Sequence, residues 1–380
     1  MPSSDRKRTI LSLIGTRPEA IKMASVIREL KARPHAKVLV CVTGQHREML
    51  DPILSFFGIV PDRNLVLMRP DQALTPLTAR LLEGLDEVIR NETPDWVVAQ
   101  GDTTSVMAGA MAAFYRGVPF AHVEAGLRTG DLSAPFPEEF NRRVADLVAE
   151  LHFAPTPRAV QTLLDEKVPR QKIVLTGNTV VDALLEAARL EPDWSEGPLS
   201  GLDRSRPIVV VTAHRRENFG HPLEEICEAI GDLARTFSTR GVQWVFPVHL
   251  NPNVRSTVNR ILCSNPGVIL MEPLDYLWQV QLMKHARLIL TDSGGIQEEA
   301  PSLGVPVLVL RTTTERPEGV ETGHAKLIGR KREVIVSETN RLLNERLRTE
   351  LPNERADSPY GDGLAGKRIA DALMGESVRD

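Results

Sequence analysis

Residues 287–310 read "RLILTDSGGIQEEAPSLGVPVLVL". The stretch opens with an apolar run at 287–291, turns at Gly294 and Gly295, continues through a helical pattern and ends in a second apolar run at 305–310. Short apolar runs bounded by glycine and charged residues are typical of strands that are buried on both faces. A strand, a helix and a second strand in this order predict a parallel sheet.

The same strand signal recurs along both halves of the chain. In the first half the apolar runs lie at 9–14, 37–42, 95–99, 118–123, 151–155 and 172–176. In the second half they lie at 208–213, 242–248, 267–271, 287–291 and 305–310. Helical patterns separate them, and in a helix expected to begin at Pro18 the apolar stripe consists of Ala20, Met23, Ala24, Ile27 and Leu30. Strands that alternate with helices predict two doubly wound α/β domains.

A polar loop rich in proline and glycine, at 190–207, lies close to the middle of the chain. A loop of this composition is typical of a position at a domain boundary or just inside it. We therefore expect an N-terminal domain over residues 1–176 and a C-terminal domain over residues 177–361. The final segment, at 358–375, has the pattern of a turn followed by one helix.

Composition limits the class of protein. The 380 residues are 42% hydrophobic and 25% charged, which is close to average globular usage. A formal net charge of -4 gives no electrostatic footprint for nucleic acid. Cys41, Cys227 and Cys263 lie far apart, so neither a disulfide framework nor a zinc site is expected. Since no apolar run has the length of a membrane span or of a signal peptide, we expect a cytoplasmic protein that does not bind membranes.

Polar residues follow the predicted strands of the first half. The first, second, third and fourth strands run into "GTRPEAIK", "TGQHRE", "QGDTTS" and "EAGLRTGD". In open parallel sheets, ligands bind at the carboxyl ends of the strands, because helix N-termini and loops converge there. Helix capping explains Thr16. Arg17, Lys22, Asp102 and Glu124 exceed what capping requires and predict a pocket.

Two common cofactor motifs are missing. A dinucleotide-binding turn needs G-x-G-x-x-G after the first strand, and "IGTRPE" contains only Gly15. No two aspartates stand two positions apart, so the D-x-D arrangement that holds a metal-nucleotide complex is also missing. We therefore expect neither bound NAD nor another cofactor, and no catalytic metal.

The turn "DSGGIQEEA" after 287–291 has the features of a phosphate site. Gly294 and Gly295 allow close backbone approach, while Ser293 and the first helical N–H groups can bind an anion at the positive end of the helix dipole. Glu299 lies one turn further on, where a carboxylate can accept hydrogen bonds from both hydroxyls of a ribose. A glycine turn followed by solvated helix carboxylates is the simpler alternative, and we assign Glu298 to it.

Further cations follow other strand ends of the second half. "TAHRRENFG" supplies His214, Arg215 and Arg216, and "TTERPEG" supplies Arg316. Their charge matches that of a nucleoside diphosphate. In "PVHLNP", His249 is as well explained by a structural hydrogen bond as by a role in a site.

A series of short blocks, taken together, resembles the bacterial, non-hydrolysing UDP-N-acetylglucosamine (UDP-GlcNAc) 2-epimerases. The blocks are "GTRPEAIKMA", "TGQHREML", "QGDTTS", "HVEAGLRTGD", "PFPEEFNRR", "GNTVVDAL", "TAHRRENFG", "DSGGIQEEAPSLG" and "TTERPEG", in the order of that family. The resemblance implies a GT-B type fold, in which two Rossmann-like domains enclose the active site in a cleft. It also implies that the closing helix, within 362–380, returns to the first domain, and that the protein is a homodimer.

The activity implied by the resemblance is reversible epimerisation at C2 between UDP-GlcNAc and UDP-N-acetylmannosamine (UDP-ManNAc). Because C2 has no adjacent carbonyl group, its proton is not acidic enough for simple abstraction. Elimination of UDP to give 2-acetamidoglucal, followed by re-addition, avoids this difficulty and requires an anion site and carboxylates. The product would supply ManNAc units for cell-surface polysaccharide.

The resemblance also implies roles for individual residues. The catalytic residues are Asp102, Glu124, Glu138 and His214. Contacts to the UDP-sugar come from Arg17, Lys22, Ser293, Gly294, Gly295, Glu299 and Arg316. Leu274 and Tyr276 are the candidates for holding uracil, since Gln279 stands near where the family often has an aromatic residue. A second UDP-GlcNAc, acting as an activator, would bind near Gln45, His46, Arg69, Arg215 and His249. Glu139 is assigned to the helix dipole alone.

Three alternatives compete with this hypothesis. A GT-B glycosyltransferase shares the fold, the UDP site and the ribose carboxylate, but it does not account for three carboxylates in the first domain. A hydrolysing epimerase would release free ManNAc and UDP. A nucleotide-sugar sensor would bind without turnover, so that Asp102→Asn would leave both its binding and its biological effect intact.

Overall fold

The computed structural model describes residues 6–44, 47–67, 72–347 and 358–376. The chain forms two compact units. Unit 1 consists of Met1–Ala183 together with Tyr360–Asp380, and unit 2 consists of Leu184–Pro359. The division after Ala183 lies seven positions beyond the boundary expected from the sequence, inside a helix at Thr179–Arg189.

Unit 1 is built on a parallel seven-stranded sheet of order β3-β2-β1-β4-β5-β6-β7. Its strands are β1 (Arg8–Ile14), β2 (Ala36–Val42), β3 (Arg63–Asn64), β4 (Trp96–Gln100), β5 (Phe120–Val123), β6 (Leu151–Ala154) and β7 (Ile173–Leu175). Its helices are α1 (Arg17–Lys31), α2 (Arg47–Phe56), α3 (Leu74–Glu92), α4 (Thr104–Tyr115), α5 (Glu138–Val148), α6 (Pro157–Asp165), the first part of α7 (Thr179–Arg189) and the closing helix α14 (Ala365–Met374). Helix α14 packs against α1.

Unit 2 repeats this architecture with a parallel six-stranded sheet of order β10-β9-β8-β11-β12-β13. The strands are β8 (Ile208–Thr212), β9 (Gln243–Pro247), β10 (Val268–Met271), β11 (Ala286–Thr291), β12 (Val307–Val309) and β13 (Ala325–Leu327). The helices are α8 (His221–Thr236), α9 (Pro252–Leu262), α10 (Tyr276–Lys284), α11 (Gly294–Ser302), α12 (Pro317–Glu321) and α13 (Arg332–Arg346).

The burial of the central strands explains why these sheets are built from apolar runs. Strand β1 pairs with β2 on one side and with β4 on the other, and its residues from Ile10 to Ile14 are buried. In unit 2, β8 lies between β9 and β11 and is buried throughout. Helices cover both faces of such strands, so the side chains that point to either face are mostly apolar.

The prediction of two doubly wound parallel sheets is confirmed. Every predicted apolar run overlaps a strand, whereas β3 and β13 were not predicted. Both are short edge strands, and the residues of β3 are exposed, so neither carries a continuous apolar signal. Helix α1 begins at Arg17, one residue before the expected start, because Thr16 is its N-cap. No helix in the described ranges is long and apolar enough to cross a membrane.

Candidate active site

The carboxyl ends of β1, β4 and β5 lie side by side in the sheet of unit 1. Arg17 follows β1 as the first residue of α1 and is half-buried. Asp102 follows β4, and Glu124 follows β5 directly. The fold thus carries three of the predicted site residues on neighbouring strand ends, which is where open parallel sheets bind ligands.

Donors from different parts of unit 1 fix the Glu124 carboxylate. Lys22 Nζ lies 2.6 Å from Glu124 Oε1, which also accepts a hydrogen bond from Asn178 Nδ2 at 3.3 Å. The amide of Gln100 donates to the other carboxylate oxygen. The backbone of Glu124 has φ of 68°, an uncommon conformation for a residue other than glycine, which costs about 1–3 kcal/mol. Such strain persists only where surrounding contacts hold the residue in place.

Asp102 is held by helix α5. The Arg142 guanidinium forms an ion pair with the Asp102 carboxylate, and Asn141 Nδ2 donates to the Asp102 backbone oxygen at 2.9 Å. The same helix begins with Glu138, which is half-buried. One rigid element therefore carries a predicted catalytic carboxylate and positions a second.

Glu139, the next residue of α5, does more than complement the helix dipole. Its side chain is fully buried, and it accepts hydrogen bonds from the backbone N–H of Thr129 at 3.0 Å and of Gly130 at 3.3 Å. Arg142 and Arg143 also lie within ion-pair distance, at 3.5 and 3.3 Å. The sequence assigned Glu139 to the dipole alone, and the structure corrects this, since the residue also holds the preceding loop in place.

A buried charged pair supports the turn that carries Asp102. His122 Nδ1 lies 2.6 Å from Asp146 Oδ1, and His122 Nε2 lies 2.7 Å from the backbone oxygen of Gly101. Burial alone would raise the pKa of Asp146, but His122 and Arg128 lower it to about 2. Burial opposes protonation of His122, yet Asp146 and Gly101 raise its pKa. Both ring nitrogens face acceptors, so His122 is an imidazolium that links α5 to the Gly101 turn.

In unit 2, Asp292 organises the loop that carries His214. Asp292 is completely buried at the end of β11, and its carboxylate accepts hydrogen bonds from the backbone N–H of His214 at 2.8 Å and of Arg215 at 2.9 Å. Asn218 Nδ2 donates to the same carboxylate at 2.8 Å. The loop after β8 is therefore attached to the end of β11.

The imidazole of His214 is held between a carboxylate and a second imidazole. Its Nδ1 lies 3.4 Å from Asp292 Oδ1, and its ring stacks on that of His249 with centroids 5.3 Å apart. Burial lowers the pKa of His214, Asp292 raises it, and His249 and Arg215 lower it further. The net shift is downward, so the ring is mainly neutral near pH 7 and carries one N–H donor.

The glycine turn at the start of α11 has open space above it. A Cβ added to Gly295 would meet only Ser293 Oγ, at 3.9 Å, whereas one added to Gly294 would lie 3.2 Å from Arg215 Nη2. Ser293 is the N-cap of α11, but its side chain makes no capping hydrogen bond. Packing within unit 2 therefore does not require a glycine at 295, and an anion can approach this turn closely.

The two carboxylates of α11 differ in environment. Glu298 is buried and forms an ion pair with Arg316, so its assignment as a solvated helix carboxylate is wrong. Glu299 is half-buried. The reason for the error is that the loop after β12 folds back over α11 and brings Arg316 to Glu298. The hydroxyl of Thr314, on the same loop, bonds to Gln297 at 2.6 Å.

The predicted uracil contacts lie at the start of α10. Tyr276 is the first residue of this helix and is buried, and Leu274, just before it, is half-buried. Trp278 is committed to packing, since a Cβ on Gly197 would lie 2.2 Å from its ring. The amide nitrogen of Gln279 is buried and makes no hydrogen bond within the part of the chain that the structure describes.

The residues predicted for an activator are only partly visible. Gln45, His46 and Arg69 lie outside the described residues. His249 is exposed and stacks on His214, and Arg215 Nη2 lies 3.5 Å from Glu315 Oε1. Among the described residues, no group of three or more His, Cys, Asp or Glu side chains is arranged to hold a metal ion.

Comparison with known proteins identifies the family. The family model described as UDP-N-acetylglucosamine 2-epimerase matches residues 28–374. The chain belongs to the UDP-N-acetylglucosamine 2-epimerase family. The family members named UDP-N-acetylglucosamine 2-epimerase from Salmonella typhimurium (strain LT2) and Escherichia coli (strain K12) are each 50% identical over 375 residues. Each alignment covers 97% of this chain and 99% of the relative. The resemblance seen in the sequence blocks is confirmed.

Solved structures of this family share the fold. The Neisseria meningitidis UDP-GlcNAc 2-epimerase bound to UDP-GlcNAc gives a TM-score of 0.87 at 43% identity, over 97% of this chain and 100% of that chain. The Methanocaldococcus jannaschii enzyme in complex with UDP-GlcNAc and UDP gives 0.78 at 33% identity, over 97% and 99%. A glycosyltransferase from Rickettsia africae, at 15% identity and a TM-score of 0.58 over 96% and 94%, shares the fold alone.

Sequence reasoning missed several residues that position the site. Asp292 stands beside a glycine turn, where an aspartate ordinarily forms the turn itself. Asn141 and Arg142 belong to α5, and nothing in their spacing indicates a contact with Asp102, some 40 positions earlier in the chain. Polar residues at neighbouring strand ends indicate where the site lies. They do not identify the residues that hold the site in place.

Proposed function

We propose that this chain interconverts UDP-GlcNAc and UDP-ManNAc by elimination and re-addition of UDP. In the first half of the reaction the C1–O bond to UDP breaks and the C2 proton is removed, which leaves 2-acetamidoglucal with a double bond between C1 and C2. In the second half UDP adds back to C1, and a proton is delivered to the opposite face of C2. Atoms balance without an oxidant, a reductant or net consumption of water.

The observation that carries this proposal is the pair of carboxylates at adjacent strand ends of unit 1. Asp102 is paired with Arg142, and Glu124 is paired with Lys22. Two nearby carboxylates repel each other unless cations or hydrogen bonds compensate their charge. Each is therefore held as a fixed group with one oxygen positioned by a cation. Elimination and re-addition need a proton acceptor on one face of C2 and a proton donor on the other.

Asp102, Glu124 and Glu138 divide these proton transfers in our proposal. Glu138 heads α5, the helix whose Arg142 pairs with Asp102, so a displacement of α5 affects two carboxylates together. Arg17 and Lys22 bind the sugar or the adjacent phosphate. Lys22 also keeps Glu124 oriented, and removing it would alter proton transfer as well as binding.

Unit 2 supplies the UDP site in this proposal. The Ser293–Gly294–Gly295 turn binds the diphosphate, Glu299 binds the ribose, and Leu274 and Tyr276 hold uracil. Open space at Gly295 and the unused capping position of Ser293 support this assignment. Neutral His214 donates a hydrogen bond to the departing phosphate, where a developing negative charge is stabilised by fixed donors. Arg316 adds a cation on the loop beside α11.

Product identity separates this proposal from its alternatives. With UDP-GlcNAc alone, phosphorus and proton NMR should show UDP-ManNAc appearing until a stable ratio is reached, while total UDP-sugar stays constant. Stoichiometric free ManNAc and UDP would instead indicate a hydrolysing enzyme. No change without an added sugar acceptor would favour a glycosyltransferase, and binding without turnover would favour a sensor. Asp102→Asn should retain UDP binding and lose conversion.

Three further properties belong to the same proposal. Exposed apolar residues on α4 and α5, namely Phe114, Tyr115, Phe140 and Leu147, support a homodimer. His249 and Arg215, together with Gln45, His46 and Arg69, would bind UDP-GlcNAc as an activator, which predicts a sigmoidal dependence of rate on UDP-GlcNAc. A cytoplasmic enzyme of this kind would supply ManNAc units for cell-surface polysaccharide.

A further inference from the structure

Helix α5 contains a buried aspartate that the proposed reaction does not use. Asp146 is only 5% exposed and lies about two turns beyond Glu138, the first residue of the helix. Its Oδ1 lies 2.6 Å from His122 Nδ1, and its Oδ2 lies 2.8 Å from Arg128 Nη2. Burial of an ion pair desolvates both charges, so apolar side chains of similar volume often fill such a space at equal stability. Folding alone therefore gives no reason for charged groups at this position.

The Asp146 carboxylate holds the loop that follows Glu124. The backbone N–H of Gly126, two residues after Glu124, donates to Asp146 Oδ2 at 3.2 Å. Gly126 has φ of 86°, and a Cβ added there would lie 2.4 Å from the backbone oxygen of Ala159, on α6. The loop is therefore packed against α6 and bonded to α5.

The imidazole of His122 extends the contact to the turn that carries Asp102. His122 is fully buried in β5, and its Nε2 lies 2.7 Å from the backbone oxygen of Gly101, the residue before Asp102. Both ring nitrogens face oxygen acceptors, and a histidine donates from both only as an imidazolium. The Asp146 carboxylate balances this buried positive charge. One carboxylate of α5 thus connects the turn before Asp102 to the loop after Glu124.

The Gly101 turn needs a restraint from outside, because glycine is conformationally permissive. Gly101 has φ of 89°, and a Cβ added there would meet no atom within 4 Å, so packing does not confine its backbone. Its N–H donates to the backbone oxygen of Val123 at 3.0 Å, and its oxygen, in the peptide bond that precedes Asp102, faces His122. Asn141 holds the backbone oxygen of Asp102 itself. The peptide bonds on both sides of Asp102 are therefore fixed by side chains.

We propose that His122 is a positioning residue, which holds the peptide bond before Asp102 in place for the reaction and is itself anchored by Asp146. This inference rests on the proposed function for its effect on rate, whereas the hydrogen bond to Gly101 does not depend on that function. Loss of this bond frees the Gly101 turn, while the bond from Gly126 to Asp146 remains. A displacement of about 1 Å at a reacting group can lower a rate by about 100-fold.

Two amides in place of His122 separate its two hydrogen bonds. The asparagine amide lies near the position of Nδ1 and can donate to Asp146, whereas the longer glutamine amide reaches the position of Nε2 and can donate to the Gly101 oxygen. His122→Asn should therefore lower kcat by at least about 10-fold, while the dissociation constant for UDP changes less than about 2-fold. His122→Gln should keep kcat within about 3-fold of the wild type. Both variants lose the cation beside Asp146, so both should lower the midpoint of thermal unfolding.

Leu30→Ala is the control for a loss of stability alone. Leu30 is fully buried near the end of α1, so this variant should lower the midpoint of thermal unfolding with little effect on kcat. Equal kcat in the Asn and Gln variants of His122 would overturn the positioning role. A loss of kcat in Leu30→Ala as large as that in His122→Asn would overturn it as well.

The protonation of His122 in the wild type gives a test that needs neither turnover nor a folded variant. Burial opposes protonation, but Asp146 and the Gly101 oxygen raise the pKa of His122 above its ordinary value. Nitrogen-15 NMR of histidine-labelled protein near pH 7 should therefore show a proton on both Nδ1 and Nε2. A ring without a proton on Nε2 could not donate to the Gly101 oxygen, and this result would overturn the proposal.

Failure of the proposed function would give a different result. A wild-type protein that makes no UDP-ManNAc would overturn that function, and the protonation of Nε2 would then decide alone whether His122 holds the Gly101 turn.

Discussion

Lys22 Nζ lies 2.6 Å from Glu124 Oε1, and the two side chains are only 13% and 9% exposed. The two residues are 102 positions apart, and the contact joins α1 to the end of β5. A buried ion pair adds little net stability, because desolvation of both charges offsets their attraction. The ion pair instead fixes the orientation of the Glu124 carboxylate beside the other strand ends.

Replacing Lys22 with Met should be costly in two ways. Removal of one partner leaves the Glu124 carboxylate buried without its cation, so the free energy of unfolding should fall by about 3 kcal/mol. The rate kcat should fall by about 100-fold, since both orientation and a cation are lost. Urea denaturation and steady-state rates measure the two effects.

Lys172→Met is the matched control for this prediction. Lys172 pairs with Glu150 at 2.8 Å, but the two side chains are 34% and 54% exposed. Exposed pairs contribute about 0–1 kcal/mol, so stability and rate should hardly change. Equal losses in the two Met variants would show that the Lys22 contact has no special role.

Gly295→Ala tests the anion turn without disturbing the fold. The added methyl group meets only Ser293 Oγ, at the ordinary contact distance of 3.9 Å. Alanine is favoured over glycine in a helix by about 0.5–1 kcal/mol, so stability should stay equal or rise slightly. UDP affinity should fall by at least about 10-fold, because the methyl group occupies the approach to the backbone N–H groups. Isothermal calorimetry with UDP measures this. In the control Gly201→Ala the added methyl group meets no atom within 4 Å, and UDP affinity should be unchanged. Unchanged affinity in Gly295→Ala would exclude this turn as the site.

The titration of His214 should respond in opposite directions to its two neighbours. Asp292 raises the pKa of His214 and His249 lowers it, so Asp292→Asn should shift the NMR titration midpoint of the ring downward and His249→Ala should shift it upward. In the wild type, the pKa of His214 is lower in the folded state than in the unfolded state. The contribution of His214 to the free energy of unfolding is therefore complete above about pH 6.5 and is lost as pH falls. Shifts of the same sign in both variants would contradict this electrostatic description.

Glu19 should make stability depend on pH near neutrality. The pKa of its carboxyl group is raised from 4.5 to about 7 in the folded protein. A raised acid pKa contributes stability that is complete below pH 4.5 and is lost as pH rises through 7, for a total of about 3 kcal/mol. The free energy of unfolding of Glu19→Gln, relative to wild type, should therefore increase between pH 5 and pH 8. A difference that is constant with pH would show that Glu19 is ionised in the folded state throughout.

The strands and the strand-end residues could be predicted because their signals are local. Apolar runs such as 9–14 and 208–213 are long enough to identify buried central strands. The position of Asp102 after such a run locates it at the carboxyl end of a strand. Edge strands such as β3 have two exposed residues and no such signal.

The contacts that support the site could not be predicted, because they join residues far apart in the chain. Nothing in the sequence indicates that Glu19 is buried, since its burial depends on the turn before α1 packing against Ser105 of α4. Glu298 was misassigned for the same reason, because the loop that brings Arg316 to it folds back from the next strand. Periodicity shows which face of a helix is polar, but not whether another loop covers that face.

Incubation of the protein with UDP-GlcNAc in deuterated water, without acceptor or added NAD, tests the central claim most directly. Elimination removes the C2 proton. Re-addition of UDP then returns a proton from the enzyme to C2. The proposal therefore predicts that UDP-ManNAc appears with deuterium at C2, seen by proton NMR and mass spectrometry, and that Asp102→Asn abolishes the exchange. Conversion to UDP-ManNAc that retains hydrogen at C2 would contradict elimination.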